Sequence, residues 1–406
     1  MEQLWRTILL FLLLSLPLAI SAQNRSADIV FWNVENYYDP FPDSPQQDPA
    51  FTPQGANHWT WRRFMAKRDA LAKTIIAMGT TELPVVIGLC EVESRFALEQ
   101  LVRQTPLAPA EYRIVHRDGP DARGMDVALL YRPDRFRPLL TRFLTVRLPD
   151  TTHHTREILY AKGVLDLLDT LHLFVNHWPS KWGGAKTSAA RRMAAATRLR
   201  ASIDSIFALH PFANIIIMGD FNDTPSSKVL RALTAPPSPP PPQRALTAPP
   251  ALHNPSPVQH NSSLVQHNSS PAQHNPTASP PQHNPSPVQH NSSPVQHNSI
   301  ASPAQHNLSP VLHNLSAPLA RRKMGTIRYR GRWELIDQFI VSENMLNAQE
   351  PISTSPEQFR IFSAPFLLIP DEKYIGTKPF RTYLGPRYQG GISDHLPVIV
   401  RIVRNY

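Results

Sequence analysis

The chain has 406 residues, a formal charge of +10 and a single cysteine. One cysteine excludes an intramolecular disulfide, so a packed hydrophobic core must stabilise the fold. The excess of Lys and Arg favours a polyanionic partner, such as nucleic acid or an acidic surface. The length exceeds that of one ordinary domain, and the composition of two segments accounts for the excess.

The first of these segments, residues 1–22, has the pattern of a secretory signal peptide. Arg6 lies in a short N-terminal region, residues 9–16 are apolar, and Ile20-Ser21-Ala22 offers a cleavage site before Gln23. The apolar run is too short for a typical membrane span, and an uncleaved anchor is the alternative. We therefore expect a secreted or periplasmic protein without stable membrane insertion after cleavage.

The second segment, residues 236–313, is a low-complexity insert. A unit resembling QHNSSPV recurs, mostly every seven residues, and no charged residue stands between Arg244 and Arg321. Prolines prevent a helix, and the few apolar residues cannot offset the entropy lost on ordering, so we expect disorder. Its histidines could capture soft divalent metals, but we favour a tandem repeat with little function. Residues 23–235 and 314–406 are expected to form one domain.

Polar side chains follow apolar strands at three places in the chain. Asn33 and Glu35 follow DIVFW, Glu91 follows VVIGLC, and Asp220 and Asn222 follow IIIMG. In extended backbone, residues i and i+2 project from one face, so each of the two pairs should share a face. Carboxylate and amide oxygens suit a hard divalent cation. Ordinary strand polarity and an Asx turn are the alternatives.

Two loops carry candidate phosphate-binding groups. His177 ends a strand and precedes a loop with Pro, Lys181 and two glycines, which is typical of a loop that contacts phosphate. Arg123 lies in the turn-rich segment RDGPDARG and could meet a phosphate, although a simple surface loop is the plainer interpretation.

Three further polar residues lie near the C-terminus. Asp337 points away from its apolar neighbours in the strand GRWELIDQFIVS. Asp394 and His395 stand in a glycine-rich turn just before the last apolar strand. Because they are sequential, their side chains point in different directions, so one can hold a metal while the other handles a proton.

Seven motifs occur in a fixed order: WNVEN, LCEVE, DVALLY, VNHWPSK, GDFND, LIDQFIVS and ISDHLPV. Together they resemble the endonuclease/exonuclease/phosphatase superfamily over about residues 28–227 and 325–406. The extended forms NVENYYDP and YQGGISDHLPV resemble its secreted bacterial, endonuclease-like branch. The resemblance implies a DNase I-like α/β fold, a four-layer sandwich of two packed mixed β-sheets flanked by helices.

The resemblance also implies a metal site. Glu91 resembles the principal metal ligand, and Asn33 and Asp394 resemble further ligands. The oxygen-rich donor set without cysteine fits Mg²⁺, with Mn²⁺ or Ca²⁺ as alternatives. Three residues remain as supporting or substrate-binding candidates, namely Glu35, Arg123 and Lys181.

The catalytic roles follow from the same resemblance. His395, oriented by Asp337, resembles the general base that activates water. Asp220 and Asn222 resemble the groups that align the nucleophile and stabilise the phosphorane-like state. His177 resembles the histidine that contacts the phosphate.

The sequence thus predicts a secreted, monomeric, divalent-metal-dependent phosphodiesterase that acts on nucleic acid as an endonuclease. A phosphatase or sphingomyelinase of the same fold is the alternative, and a non-catalytic adhesion protein is a third reading. Lys181 and Lys186, beside Trp178 and Trp182, favour a nucleic-acid rim weakly. The apolar residues 366–369 would favour a lipid substrate if they were exposed, although core burial is the plainer reading.

Overall fold

A computed structural model of the chain describes residues 26–41, 48–150, 154–166, 169–181, 184–236 and 311–405. The expected signal peptide and residues 237–310 of the expected insert lie outside this range. Nineteen β-strands occur in the described residues: β1 Ala27–Tyr37, β2 Val86–Val92, β3 Arg113–Val115, β4 Asp126–Tyr131, β5 Phe136–Leu144, β6 Ile158–Leu165, β7 Asp169–His177, β8 Asn214–Asp220, β9 Leu312–Asn314, β10 Ile327–Tyr329, β11 Arg332–Glu334, β12 Asp337–Ser342, β13 Ile352–Ser353, β14 Phe359–Ile361, β15 Leu368–Pro370, β16 Thr377–Pro379, β17 Tyr383–Leu384, β18 Arg387–Tyr388 and β19 Val398–Arg404.

Five α-helices occur in the same described residues: α1 Trp61–Met78, α2 Arg95–Arg103, α3 Ala185–Leu209, α4 Lys228–Thr234 and α5 Ala317–Arg321. Most strands belong to two large mixed sheets. The first has the order β13-β19-β1-β2-β4-β3, with β14 also pairing with β19, and the second has the order β5-β6-β7-β8-β12-β9. Each sheet contains one central parallel pair, β1 with β2 and β7 with β8.

The two sheets pack face to face, and helices cover their outer faces. On β1, Ile29 and Phe31 lie in the core between the sheets, whereas Val30 and Trp32 lie in the core beneath α1 and α2. This division follows from the strand geometry, since successive side chains point to opposite faces. Both faces of β1 are buried, which explains its continuous apolar sequence.

The central strand of the second sheet shows the same division. On β8, Ile216 and Met218 face the first sheet, whereas Ile215 and Ile217 pack beneath α3 and α4. The layers therefore run helix, sheet, sheet, helix. This arrangement confirms the predicted four-layer α/β sandwich.

Helix α1 buries two basic residues together with its apolar ones. The side chain of Thr60 caps its N-terminus, and its apolar residues Phe64, Leu71, Ile75 and Met78 are buried. Its basic residues Lys67 and Arg68 are also buried. Buried cations need polar partners, so this face of the helix must form polar contacts in addition to packing on the core.

The expected insert boundary at residue 313 needs correction. Strand β9 begins at Leu312, and its residues Leu312 and His313 pair with Ser342 and Val341 of β12. The sequence before the next recognisable strand contains no motif, so the pairing of β9 with β12 was not predicted. Leu312 is buried in the same core as Leu233 of α4, so the chain on both sides of residues 237–310 is anchored. In the described part of the chain, no helix has both the length and the apolarity needed to cross a membrane.

Candidate active site

The polar residues predicted at strand ends meet at one edge of both sheets. Residue pairing places His177, at the end of β7, beside Asp220, at the end of β8. Asp337, which starts the antiparallel strand β12, pairs with Asp220 from the other side. Strands β1 and β2 reach the same edge of the first sheet with Asn33 beside Cys90.

Asn33 links two carboxylates across the gap between the sheets. Its Nδ2 donates to Glu91 Oε1 at 3.2 Å and to Asp220 Oδ2 at 3.1 Å. Its Oδ1 accepts a hydrogen bond from the backbone N–H of Glu35 at 2.9 Å. This orientation differs from the expectation that Asn33 offers an oxygen to a cation, because the amide nitrogen faces the carboxylates.

Backbone bulges at the ends of β1 and β2 aim the acidic side chains. Glu35, Asn36 and Glu91 have positive φ angles of 49°, 52° and 61°, and the β1–β2 register shifts between Asn33 and Tyr37. Bulges and left-handed backbone at non-glycine residues concentrate at functional sites. The backbone N–H of Asn36 donates to Glu91 Oε2 at 2.9 Å, which fixes that carboxylate. The extended backbone assumed for Asn33 and Glu35 is therefore interrupted.

His395 and Asp337 form a buried pair. His395 Nδ1 and Asp337 Oδ2 share a hydrogen bond of 2.7 Å, and the Thr326 hydroxyl donates to the same oxygen. The Ser393 hydroxyl accepts from the His395 backbone N–H at 3.0 Å, which orients the turn. His395 Nε2 lies 4.0 Å from Asp220 Oδ2. The ring is thus fixed through one nitrogen, and the other faces the site.

The carboxylates change the proton affinity of this cluster. Burial would lower the pKa of His395, but the Asp337 carboxylate outweighs it and holds that pKa well above its usual value. Burial raises the pKa of Asp220 to about 7, and the charge of Asp337 acts in the same direction. Asp220 can therefore exchange a proton near neutral pH beside an imidazole of raised proton affinity.

His177 lies on the opposite side of the same carboxylates. Its Nε2 is 3.8 Å from both Glu91 Oε1 and Asp220 Oδ2. Arg156 contacts both ring nitrogens, with Nε 3.2 Å from Nδ1 and Nη2 2.7 Å from Nε2, while its Nη1 donates to Asp121 Oδ2 at 3.2 Å. Burial, followed by the charge of Arg156, lowers the pKa of His177 well below its usual value. His177 is accordingly a neutral imidazole.

The turn after β8 holds Asp220 in place. The backbone N–H of Asn222 donates to Asp220 Oδ1 at 2.9 Å, and Asn222 Nδ2 donates to the Trp178 carbonyl at 2.9 Å. Asn222 has a φ of 50°, so the extended backbone expected for this pair gives way to an Asx-type turn. Asn222 therefore fixes both Asp220 and the chain after His177.

A second acidic group, Glu35 with Asp394, is partly neutralised by two cations. Arg381 Nη2 donates to Asp394 Oδ2 at 2.9 Å, and its Nε lies 3.5 Å from Glu35 Oε1. Lys67 Nζ donates to Thr382 Oγ1 at 2.6 Å and to the Glu35 carbonyl. Burial raises the pKa of Glu35 to about 7 and lowers that of Lys67 to about 8. Glu35 is thus part of the site and not a surface residue.

The two predicted substrate-binding cations lie at the surface. Arg123 is about half exposed, and its Nε lies 3.9 Å from Asp121 Oδ1. Its charge also lowers the pKa of His177, so the guanidinium lies within electrostatic reach of that imidazole. Lys181 is also about half exposed and donates to Glu334 Oε2 at 2.9 Å.

A family model described as the endonuclease/exonuclease/phosphatase family matches residues 28–238 and 286–404. The chain belongs to this family. Membership of the endonuclease/exonuclease/phosphatase family makes it a phosphoesterase hydrolase. No curated protein matches the chain at a significant level.

Several solved structures resemble the chain at low similarity. An endonuclease/exonuclease/phosphatase family protein from Bacteroides thetaiotaomicron is 12% identical, with 94% of this chain and 98% of that chain covered and a TM-score of 0.48. The human Nocturnin catalytic domain with bound sulfate is 13% identical, with 94% and 97% covered and a TM-score of 0.45. D. rerio TDP2 humanized by 14 mutations is 12% identical, with 93% and 98% covered and a TM-score of 0.44. These values are too low to transfer an activity.

Several groups that shape this phosphoesterase site are not among the sequence predictions. Arg156 precedes β6 in a segment without a motif, and Lys67 lies on helix α1, which carries none of the seven motifs. Their partners are distant in sequence, so periodicity gives no signal for them. Arg381 stands in the same glycine-rich segment as Asp394, and that proximity could have marked it.

Proposed function

We propose that the chain is a secreted, divalent-cation-dependent phosphodiesterase that cleaves nucleic acid as an endonuclease. The observation that carries the proposal is the buried His395–Asp337 pair, which faces Asp220 and stands beside Glu91 and His177 at one edge of both sheets. Hydrolysis of a phosphodiester needs a base, an aligned water and positive charge against the phosphate. This edge offers groups for each of these tasks.

His395 is the proposed general base. Its Nδ1 is held by Asp337, which leaves Nε2 directed toward Asp220 across 4.0 Å. A water between Nε2 and the Asp220 carboxylate could hydrogen-bond to both and transfer its proton to the imidazole. The Asp337 carboxylate fixes the tautomer of this imidazole, and the raised pKa of His395 means that its neutral, proton-accepting form is populated at higher pH than that of an ordinary histidine.

His177 and Asn222 complete the proposed set on the other side of Asp220. Arg156 holds the neutral imidazole of His177 at both ring nitrogens, and we expect this His177–Arg156 pair to contact a phosphate oxygen. Asn222 aligns the Asp220 carboxylate through its backbone N–H. We expect these groups to stabilise the charge that develops on the phosphate in the transition state.

Glu91 and Asp394 are the proposed cation ligands. Both carboxylates remain partly exposed, and the only described charged partner of Asp394 within 3 Å is Arg381. Oxygen donors of this kind fit Mg²⁺, with Mn²⁺ or Ca²⁺ as alternatives. When bound, such a cation stabilises negative charge on the phosphate. Asn33, which donates to Glu91 and Asp220, would then hold the ligand carboxylate in position.

The rim favours a polyanionic substrate over a lipid. Arg123 is half exposed and within electrostatic reach of His177, and a cationic group of this kind can contact a nucleic-acid backbone. Of the apolar residues 366–369, Leu367 is buried, and Phe366 and Leu368 pack partly on the core. One feature still favours a lipid-linked substrate, because Ile375 is fully exposed between β15 and β16.

A substrate panel tests the proposal. Plasmid, single-stranded DNA, sphingomyelin and an inositol phosphate would be incubated with the full chain and Mg²⁺, Mn²⁺, Ca²⁺ or a chelator. We expect plasmid nicking with Mg²⁺, loss of nicking with chelator, and a much weaker metal response in Glu91→Gln. Hydrolysis of sphingomyelin alone would contradict a nucleic-acid substrate and indicate a lipid substrate. Equal nicking with and without chelator would contradict a role for a cation.

Secretion and the monomeric state need separate measurements. Expression of the full chain with its N-terminus intact should yield an extracytoplasmic protein that begins at Gln23 by mass spectrometry. An intact Met1 in the cell pellet would contradict secretion. Light scattering at several concentrations should give the mass of one chain.

A further inference from the structure

A second cluster of ligating side chains lies outside the proposed active site, at the base of the loop between β3 and β4. His116 directly follows β3, and Asp126 is the first residue of β4. One ring nitrogen of His116 and one oxygen from each of Asp118 and Asp126 all lie within 4.8 Å of one another. None of these residues belongs to the proposed catalytic set.

The imidazole of His116 is buried without a hydrogen-bond partner at one nitrogen. Its side chain is 1% exposed, and Nε2 has no partner among the described residues. This nitrogen points at Asp126 Oδ2 from 3.9 Å, which is too long for a hydrogen bond. A buried polar atom without a partner is costly, so the site calls for a group between the two atoms.

The carboxylate of Asp126 lacks a compensating cation in the described residues. It is almost fully buried and accepts one hydrogen bond, from the Gly119 backbone N–H at 3.1 Å. The two arginines of the same loop are engaged elsewhere, since Arg117 pairs with Glu157 and Arg123 lies beside Asp121. Burial of a carboxylate without an opposite charge nearby is costly. A cation at this position would remove that penalty.

We propose that His116, Asp118 and Asp126 form a second divalent-cation site, of the Zn²⁺ class, which fixes the β3–β4 loop. Two ligands about 2.1 Å from one ion are at most about 4.2 Å apart, so the 3.9 Å separation of His116 Nε2 and Asp126 Oδ2 leaves room for an ion between them.

The donor set decides the class of ion. Zn²⁺ accepts imidazole nitrogen together with carboxylate oxygen, whereas Mg²⁺ prefers oxygen ligands alone. Asp118 is 80% exposed, so it is free to close over the ion from the solvent side. Water can complete the coordination.

Fixing this loop bears on the active site through two contacts. Asp121 lies in the same loop and accepts a hydrogen bond from Arg156 Nη1 at 3.2 Å. Arg156 in turn contacts the imidazole of His177. The second cation therefore has a structural role. It stabilises the loop and, through Asp121 and Arg156, the position of His177.

Hydrogen–deuterium exchange of the full chain in a Zn²⁺ titration tests the site. We expect Zn²⁺ alone to slow hydrogen–deuterium exchange of the amides of residues 116–126. When the Zn²⁺ concentration is about ten times the dissociation constant of the site, exchange should be at least about tenfold slower. The slowing should disappear in His116→Gln. His172→Gln is the matched control, because His172 is another buried histidine on a strand of the other sheet. The control should respond like the wild type.

The local readout separates this site from other zinc-binding histidines. Zinc captured elsewhere in the chain would not protect residues 116–126, and Mg²⁺ should not protect them either. If His116→Gln fails to fold, Asp118→Asn provides the test, because its exposed side chain can change without disturbing the core. That variant should shift the midpoint of the Zn²⁺ titration at least about tenfold. Absence of protection in the wild type, or equal protection in the variants, would overturn the proposal.

Discussion

Each histidine at the active-site edge has a distinct setting that suits it to a distinct task. Asp337 raises the proton affinity of His395, whereas burial beside Arg156 keeps His177 neutral. The same side chain type can thus serve as a proton acceptor in one position and a neutral phosphate contact in the other. Environment, and not residue type, assigns the two roles.

This difference gives a prediction for the His395–Asp337 pair. His395→Ala should lower kcat by about 10²–10⁴-fold with little change in KM, because general-base catalysis contributes that much. Asp337→Asn should cost less, since it disturbs the tautomer and leaves the imidazole. Steady-state kinetics on the substrate identified by the panel provides the measurement.

The double variant decides whether the two residues act as a unit. If they do, His395→Ala combined with Asp337→Asn should be close to His395→Ala alone. Losses that multiply would contradict a paired base and would favour a phosphate-contacting role for His395. Circular dichroism of each variant serves as the folding control, because Asp337 is fully buried.

At the scale of elements, the parallel pair β7–β8 sets the spacing between His177 and Asp220. Gly219 of β8 stands directly against Asn176 of β7, and an added Cβ would lie 2.6 Å from the Asn176 carbonyl oxygen. Gly88 of β2 also lies in the inter-sheet core, but its added Cβ would meet the flexible Met218 side chain at 3.0 Å. Only the first contact is with backbone that cannot move away.

Gly219→Ala should therefore destabilise the fold by about 1–3 kcal/mol, as overpacking of a core does, and should lower kcat by displacing Asp220 from His177. Gly88→Ala is the matched control and should cost less in both measurements, because a Met side chain can repack. Urea denaturation and kcat would be measured for both. Equal losses of stability and kcat in the two variants would show that the close approach of β7 and β8 does not determine the position of Asp220.

The elements were predictable where they rest on local pattern. The apolar runs before Glu91 and Asp220 predicted two buried strands, and the polar residues behind them do lie at the sheet edge. The bulges were not predictable, because the positive φ angles of Glu35 and Glu91 arise from strand pairing and not from their own sequence preference. The sequence also did not predict that Lys67 belongs to the site, because its partners Glu35 and Thr382 are far away in the chain.

At the scale of the whole molecule, the chain leaves and re-enters the described fold at two anchored points. Helix α4 ends at Thr234 with Leu233 buried, and β9 begins with the buried Leu312. Both residues belong to the core beneath the second sheet. The segment between them can therefore change in length without moving either anchor, provided that a linker still spans the gap.

Replacing residues 237–306 with a short Gly-Ser linker should leave Tm and kcat nearly unchanged. The segment has no core-forming pattern, and the entropy of loop closure changes slowly with loop length. Differential scanning calorimetry and the nicking assay provide the measurements. A Tm lowered by many degrees, or a loss of turnover, would show that the segment packs on the domain or takes part in catalysis.

The thiol of Cys90 can report how often the two β-sheets separate. Cys90 is the single cysteine of the chain, it is fully buried in β2 between the two sheets, and burial raises the pKa of its thiol well above the usual value. A thiol reagent can modify it only when the sheets separate, so the labelling rate of the unmodified chain reports how often the sandwich opens. Binding of substrate or metal at the strand ends directly above it should then be measurable as a slower labelling rate, with no engineered tag or dye.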